Sequence, residues 1–173
     1  MKRLLSIIGA ITLLGTSTTN VVACNAPQEY TSEELKELKE KNKIDTADEN
    51  IKNNLEWIAP QEKPFNTVDN KWYYVVWRSK LNSEWRIIKF KNDTKVDKEN
   101  KKIIDVQNKS ELSISVHIGV GYSYVVLFIN NNLETTWKNN NKNYFKSVYR
   151  WNLDTQEPNL DIDKDGNVKV KEK

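Results

Sequence analysis

The residues of this chain that are best suited to chemistry are few. Its 173 residues include one cysteine, Cys24, and one histidine, His117. A single cysteine excludes a disulfide framework and Cys-rich metal sites, and a single histidine excludes sites that need two imidazoles. His117 follows Ser113 and Ser115 on one strand face, but such neighbours lie roughly 7 Å apart, and no G-x-S-x-G elbow occurs. We therefore predict an exposed strand histidine and no enzymatic activity.

Cys24 ends a segment that is typical of an export signal. Lys2 and Arg3 precede an apolar run over residues 4–14, which is too short to span a bilayer. The run is followed by Val21-Val22-Ala23-Cys24, which resembles the bacterial lipobox. That resemblance implies a diacylglyceryl group on the Cys24 thiol and cleavage before it, so that residues 1–23 are a signal peptide. An ordinary secretory signal and an uncleaved anchor are the alternatives.

The lipid anchor predicts where the protein works. Two acyl chains on one residue are enough for stable membrane attachment. We therefore expect a cell-membrane protein, held by Cys24 on the extracellular face, with the membrane as its first partner. The chain has 27 basic and 24 acidic side chains, and removal of Lys2 and Arg3 leaves an excess of one. Because the charges are mixed along the sequence, we predict no nucleic-acid partner.

The sharpest local pattern lies near the C-terminus. The segment DIDKDGNVKVKE matches an EF-hand loop, with ligands expected from Asp161, Asp163, Asp165 and Glu172 around Gly166. Calcium is accordingly the one metal that the sequence suggests, and no other cofactor is predicted. Pro158 just upstream argues against an entering helix. The alternative, which we favour, is a β-hairpin that turns at Asp165-Gly166.

The elements that carry these residues begin with helices over residues 24–59. A capping box, Thr31-x-x-Glu34, starts a charged and mostly solvated helix, interpreted as a stalk that lifts the domain from the lipid. A second apolar stripe then follows helical spacing and is expected to dock on a sheet: Ile44, Ala47, Ile51, Leu55 and Ile58.

Strand-like periodicity follows a linker over residues 60–70 and continues through residues 71–151. Residues 152–173 are predicted to form a loop with a hairpin or tail. The predicted strands are 71–78, 84–90, 102–106, 112–118, 122–129, 133–137 and 144–151. The predicted fold class is α+β, mostly β, with an antiparallel sheet, sandwich or partial barrel of about six or seven strands behind the signal peptide and helical stalk.

Tryptophans provide the candidate binding residues. Trp77, Trp85 and Trp137 lie on predicted strands or beside them, flanked by Asn and Lys, where aromatic rings stack on sugars or anchor protein partners. Trp137, next to the polar loop KNNNKN, is expected to be exposed. Packing in the core is the alternative for each of these side chains.

Several segments of the chain resemble a known group of proteins. The leader MKRLLSIIGAITLLGTSTT before VVACN resembles spiroplasma lipoproteins, and KWYYVVWRS, EWRIIKFKNDTK and NYFKSVYRWNLDTQEPNLDIDKDGNVKV are similar to adhesin-like surface proteins of spiroplasmas and their plectroviruses. The resemblance covers the leader and most of residues 71–173. It implies a mollicute surface protein but no particular reaction or ligand. The longer phage members carry a C-terminal membrane helix, so a short version that is lipid-anchored or truncated is expected here.

These features predict a non-enzymatic surface lipoprotein that acts as an adhesin-like interaction module with a protein or glycan partner. Two alternatives remain, a solute- or glycan-binding lipoprotein and a structural surface protein without a ligand. A pocket lined by two or more tryptophans would favour solute binding. A flat exposed aromatic patch would favour the interaction module. If neither feature is present, a structural protein without a ligand is the remaining interpretation.

Overall fold

A computed structural model describes residues 29–116, 121–139 and 143–171. These residues form helices α1 (Ser32–Lys41) and α2 (Glu49–Asn54), a 3-10 turn (Pro64–Asn66) and ten strands. The strands are β1 (Leu55–Trp57), β2 (Trp72–Trp77), β3 (Arg86–Lys91), β4 (Lys102–Gln107), β5 (Ser110–Val116), β6 (Ser123–Ile129), β7 (Asn132–Thr136), β8 (Phe145–Trp151), β9 (Leu160–Ile162) and β10 (Val168–Val170). No described helix is long and apolar enough to cross a membrane.

Helix α1 begins where the sequence predicts. The Thr31 hydroxyl accepts a hydrogen bond from the Glu34 N–H, and the Glu34 carboxylate accepts one from the Thr31 N–H, which confirms the capping box. None of its residues is fully buried, as expected for a mostly solvated helix. Leu35 and Leu38 nevertheless pack against the core, and Lys39 pairs with Glu56 and Glu62. The helix therefore lies on the domain along one side, and the interpretation of α1 as a stalk standing away from the domain is wrong.

The second predicted helix is shorter than its apolar stripe. Asp48 caps α2, which ends at Asn54, and Leu55 begins β1, which pairs with β8. Ile51, Leu55 and Ile58 are buried, but Ala47 is exposed. The prediction of one continuous helical face is wrong, because the helix ends at Asn54 and Leu55 pairs with Trp151 in the first sheet.

The first sheet has the antiparallel order β1-β8-β2-β3. In β2 the five residues from Tyr73 to Trp77 are all at most 2% exposed. Because successive strand residues point to opposite faces, both faces of this sheet are covered. Tyr73, Val75 and Trp77 share one face, and the Trp77 indole N–H donates to Asp105 Oδ2 of β4, 3.1 Å away. This face therefore points toward the second sheet.

The second sheet has the antiparallel order β4-β5-β6-β7. Its hairpins turn at asparagines with positive φ, at Asn108 (56°) and at Asn130 and Asn131 (52° and 64°), a conformation that Asn tolerates better than other non-glycine residues. Leu112, Ile114, Val125 and Leu127 face inward and join the same hydrophobic cluster as the first sheet. The predicted fold class is confirmed: the protein is α+β and mostly β, with two four-stranded antiparallel sheets.

The C-terminal segment forms the predicted hairpin. Strands β9 and β10 pair antiparallel, and Gly166 in their loop has φ +80°, which favours glycine. The Asp163 carboxylate accepts hydrogen bonds from the backbone N–H groups of Asp165 and Asn167, at 2.8 and 2.9 Å. A Cβ on Gly166 would lie 2.8 Å from Cγ of Trp85, so this indole rests directly on the loop.

Candidate functional site

The predicted tryptophan site is not assembled. Trp77 is 0% and Trp137 is 4% exposed, so both belong to the core, and the prediction that Trp137 is exposed is wrong. Trp137 directly follows β7, its N–H donates to the Val125 carbonyl of β6, and its ring meets Phe145 edge-on at 6.2 Å between centroids. Burying this indole in the core removes its apolar area from water, whereas an exposed position in the loop would leave that area solvated.

Trp85 is the only one of the three predicted tryptophans that is partly exposed. The Arg78 guanidinium lies over its ring, 4.5 Å from the centroid, and Gly166 lies against the ring. Its described contacts are therefore structural, because they fasten the C-terminal hairpin to the start of β3. Trp85, Trp77 and Trp137 do not share a surface.

The predicted calcium ligands are only partly described. Asp161, Asp163 and Asp165 belong to the β9–β10 hairpin, whereas Glu172 falls beyond residue 171. Hydrogen bonds from the side chain and backbone N–H of Asn167 lower the pKa of the Asp163 carboxyl. Within the described ranges no three His, Cys, Asp or Glu side chains are grouped to hold a metal ion. Calcium binding stays a prediction.

Two other predicted positions have no structural description. Cys24 precedes residue 29, where the description starts, and His117 is the first residue after 116. Lipidation of Cys24 and the exposure of His117 therefore stay predictions from the sequence.

The outer face of the second sheet carries apolar side chains that the sequence analysis did not single out. Strand pairing places Val106, Glu111, Phe128 and Leu133 in one row across all four strands. Ile103 starts the next row, opposite Ser113. Val106 is 59%, and Ile103 and Leu133 are each 53% exposed. We call these five side chains, Ile103, Val106, Glu111, Phe128 and Leu133, the outer-face patch.

The charge in the outer-face patch is balanced. Lys101 forms an ion pair with Glu111, and its ammonium lies 5.1 Å from the Phe128 ring centroid, within range of a cation–π contact. An antiparallel sheet with one solvated face normally carries polar side chains there. On this face three exposed aliphatic side chains therefore lie near one ion pair and one aromatic ring.

A sequence signal for this surface existed in β4. Ile103, Ile104 and Val106 place apolar side chains on both faces of a strand that ends a sheet, where one face usually meets water. The inward residue, Ile104, packs on the core, and the other two are exposed. The predicted binding residues were all tryptophans, so these aliphatic side chains of β4 were not among them.

A polar cleft of about 390 Å³ opens where the turns of the second sheet meet the first sheet. It is lined by Ser79, Lys80, Gln107, Asn108, Lys109, Ser110, Ile129 and Asn130. A smaller cleft of about 80 Å³ lies between β3 and β9, near Tyr74, Ile88 and Leu160. Neither cleft is lined by tryptophan.

A charged cluster joins α1, β1 and β8. Glu56 accepts hydrogen bonds from Lys39, from Arg150 at 2.6 Å and from Asn152 at 3.2 Å. Burial alone would raise the pKa of the Glu56 carboxyl, but the hydrogen bond from Lys39 and the positive charge of Arg150 outweigh it and lower this pKa. Because each charge in the cluster has a partner, its role is to fasten α1 to the first sheet.

Comparisons with known proteins identify no family, relative or structural neighbour of this chain. No protein-family model matches the chain, and searches of curated proteins and of solved structures found no match either.

Proposed function

We propose that this protein is a non-enzymatic, lipid-anchored lipoprotein of the extracellular membrane face, and that it presents an adhesin-like module whose contact surface is the outer-face patch. The observation that carries the proposal is the exposure of Ile103, Val106 and Leu133, each more than half exposed on one sheet face. Water-exposed aliphatic side chains grouped on one face are a usual sign of a protein-binding surface.

Attachment to the membrane through Cys24 is supported by the sequence. Lys2 and Arg3, the short apolar run and Val21-Val22-Ala23-Cys24 together have the order of a lipoprotein signal. A diacylglyceryl group on Cys24 would hold the β-domain within a short tether of the membrane, since α1 begins at Ser32. The two features support each other, because an adhesive surface acts only when it is displayed outside the cell.

The partner is a protein, on the chemistry of the outer-face patch. Glu111 lies in the middle of the row and is paired with Lys101, so covering the patch also covers an ion pair. A protein surface can hydrogen-bond to that ion pair and also contact the apolar side chains. The acyl region of a bilayer offers no hydrogen-bonding group, so direct insertion of the patch into lipid is disfavoured.

The first test measures whether Cys24 is lipidated. Cells that express the wild-type protein or Cys24→Ser are labelled with a radioactive fatty acid, and the protein is then isolated. The wild type should carry label and remain in the membrane fraction, whereas Cys24→Ser should be unlabelled. Equal absence of label from both proteins would contradict lipidation.

The second test measures adhesion of intact expressing cells to a host-cell layer. The patch variant replaces Ile103, Val106 and Leu133 by Thr, and the matched control is Leu81→Thr, since Leu81 is 48% exposed in the β2–β3 loop. The patch variant should adhere about tenfold less than wild type, a loss of about 1.4 kcal/mol in binding. The Leu81→Thr cells should adhere like wild type at equal surface expression.

Two results would decide against the patch. Adhesion of the patch variant at the wild-type level would remove it as the contact surface. Sedimentation of the full-length protein in detergent as a dimer, reversed by the same three substitutions, would instead identify a second copy of the chain as the occupant.

Solute binding is the second candidate function, and the polar cleft is the observation that favours it. Its volume of about 390 Å³ falls in the range of small-molecule sites, roughly 300–1,000 Å³. A solute in this cleft would not stack on tryptophan, because the lining side chains are polar apart from Ile129.

A further inference from the structure

We propose that one edge of the β-domain, where β1, β7 and α1 lie, faces the bilayer and contacts the lipid headgroups. The inference rests on the proposed lipidation of Cys24 and goes beyond it, because it names the surface of the domain that meets the membrane. We call this the proximal surface and define it by six residues: Glu29, Tyr30, Gln61, Lys63, Tyr122 and Lys138.

The chain enters the described domain at a place that is held by contacts. The Gln61 side-chain amide donates to the Tyr30 carbonyl at 3.0 Å and accepts a hydrogen bond from the Tyr30 N–H. The Glu29 carboxylate lies 4.0 Å from the Lys138 ammonium, just after β7. Contacts between residues far apart in sequence therefore hold this entry point against the segments that follow β1 and β7.

The tether between the entry point and the lipid is short. Only residues 25–28 separate Cys24 from Glu29, and a fully extended chain of this length spans at most about 18 Å. Helix α1 adds no height, because Leu35 and Leu38 pack against the core. A diacylglyceryl group would keep Cys24 at the headgroup layer, so the entry point would stay within about 18 Å of that layer.

The strand order decides which residues lie far from the lipid. Lys102 of β4 donates to the Lys91 carbonyl of β3, so these two outer strands form one edge of the domain, and β1 and β7 form the opposite edge. Neighbouring strands lie about 4.8 Å apart, so the β3–β4 edge is roughly 14 Å farther from the entry point. We call the connection between β3 and β4, residues 92–101, the distal loop.

The proximal surface carries side chains that suit a headgroup layer. Tyr122 is 39% exposed, the most exposed aromatic side chain in the described part of the chain, and the Lys63 ammonium lies 3.4 Å from its ring centroid. Tyrosine rings are enriched at membrane interfaces, and a lysine stem can lie on apolar groups while its ammonium stays in the polar layer. Lys63 follows Gln61 by two residues, so this pair lies beside the entry point.

The outer-face patch is less suited to contact lipid, because it contains the ion pair between Lys101 and Glu111. With the proximal surface on the bilayer, the patch row runs from Leu133 on β7, near the lipid, to Val106 on β4, farther out. The patch then lies along a side of the domain and stays open to a protein partner.

The test compares two fluorescent probes on full-length protein that has been isolated from membranes and placed in vesicles. Cys24 carries lipid in this protein, so one introduced cysteine takes the fluorophore. Asn139→Cys, beside Lys138, probes the near edge, and Lys98→Cys probes the distal loop; both positions are exposed. The vesicles are phosphatidylcholine, and a fraction of the lipids carries a nitroxide on the headgroup that quenches nearby fluorophores.

We expect about threefold stronger quenching of the Asn139 probe than of the Lys98 probe, because the two edges are separated by roughly 14 Å. Tyr122→Ser should lower this ratio about twofold, since it removes the interfacial ring. Leu81→Ser is the matched control, because Leu81 is 48% exposed in the β2–β3 loop, and it should keep the wild-type ratio.

The outcomes separate this inference from the proposed lipidation. Protein that does not float with the vesicles contradicts lipidation of Cys24, and the inference with it. Protein that floats but shows equal quenching at both probes, or stronger quenching at Lys98, overturns the inference and leaves lipidation intact. An unchanged ratio in Tyr122→Ser would overturn the proximal surface as defined, because its aromatic residue would then make no contact.

Discussion

The two sheets have the same number of strands and the same antiparallel pairing, but they differ in what covers their outer faces. On the first sheet Tyr74 Oη donates to the Pro158 carbonyl at 2.6 Å, and Tyr149 Oη donates to the Asn42 carbonyl at 2.9 Å. The C-terminal segment and the segment after α1 therefore cover it. On the outer face of the second sheet Ser113 and Val126 are also buried, but Val106 and Leu133 remain more than half exposed. The first sheet is therefore covered along β2, whereas the second sheet is exposed only in the row from Val106 to Leu133 and at Ile103.

The sheets also differ in how they satisfy buried polar groups. In the first sheet Tyr73 Oη has a partner in Asp69 at 2.6 Å, and the two other buried tyrosines are paired with carbonyls. In the second sheet Tyr124 Oη and Gln107 Oε1 are buried with no donor or acceptor among the described residues. The buried tyrosines of the first sheet therefore all have partners among the described residues, whereas Tyr124 of the second sheet has none there.

Removing a side chain from between the sheets should have the largest effect. Trp77→Ala deletes a fully buried indole and its hydrogen bond to Asp105, so we expect a loss of about 4 kcal/mol in the free energy of unfolding, measured with urea. Leu133→Ala, on the outer face, should cost less than about 1 kcal/mol. Similar costs for the two variants would remove the distinction between the sheets.

The packing of the C-terminal hairpin on the first sheet should be weakened by a substitution at Gly166. Gly166→Ala places a methyl group 2.8 Å from Trp85 Cγ at φ +80°, so strain and overlap together should cost about 3 kcal/mol. Gly121→Ala is the control, since Gly121 has φ +68° but no atom within 4 Å of a new Cβ, and it should cost about 1 kcal/mol. Equal thermal shifts would show that contact with Trp85 contributes nothing.

The attachment of α1 to the first sheet should depend on pH. Because the folded pKa of Glu56 is below its unfolded value of about 4.3, its stabilisation is complete above that value and is lost as pH falls through the folded pKa. Glu56→Gln should cost about 2 kcal/mol at pH 7 and flatten the fall of the urea midpoint as pH drops below the unfolded pKa.

The control for this effect is Glu37→Gln on the exposed side of α1. Its urea midpoints should follow the wild-type curve at every pH. A wild-type slope retained in Glu56→Gln would show that the cluster around Lys39 and Arg150 does not cause the acid sensitivity.

The smallest effect is expected on the outer face of the second sheet. Val106→Thr keeps the shape of the side chain at a position 59% exposed, and unfolding should change by less than about 0.5 kcal/mol. The same substitution at Val75, which is 0% exposed, buries an unpaired hydroxyl and should cost about 1–3 kcal/mol. Urea unfolding of both variants measures the contrast directly.

Most of the β-domain could be predicted from local pattern. The alternation in Leu112, Ser113 and Ile114 and the run around Val125 gave β5 and β6, and Asp165-Gly166 gave the C-terminal turn. The second predicted helix was wrong for a physical reason. Leu55 fits both a helical stripe and a strand, and only the presence of Trp151 beside it decides for the strand.

The candidate site was less predictable than the fold. Sequence type suggested tryptophans, but a large apolar ring is as suitable for a core as for a ligand, and Trp77 and Trp137 are in the core. The outer-face patch depends on register, which sets Val106 beside Glu111. The polar cleft depends on three distant segments that meet, which no local pattern encodes.

The sequence by itself determined the predicted address at Cys24, the capping box of α1 and the periodicity of the strands, because each depends on residues close together in the chain. Only the tertiary structure decided which side chains on each sheet face are buried and which segments line the polar cleft. Burial and the pairing of polar groups arise from contacts between residues far apart in sequence, and those contacts exist only once the sheets pack.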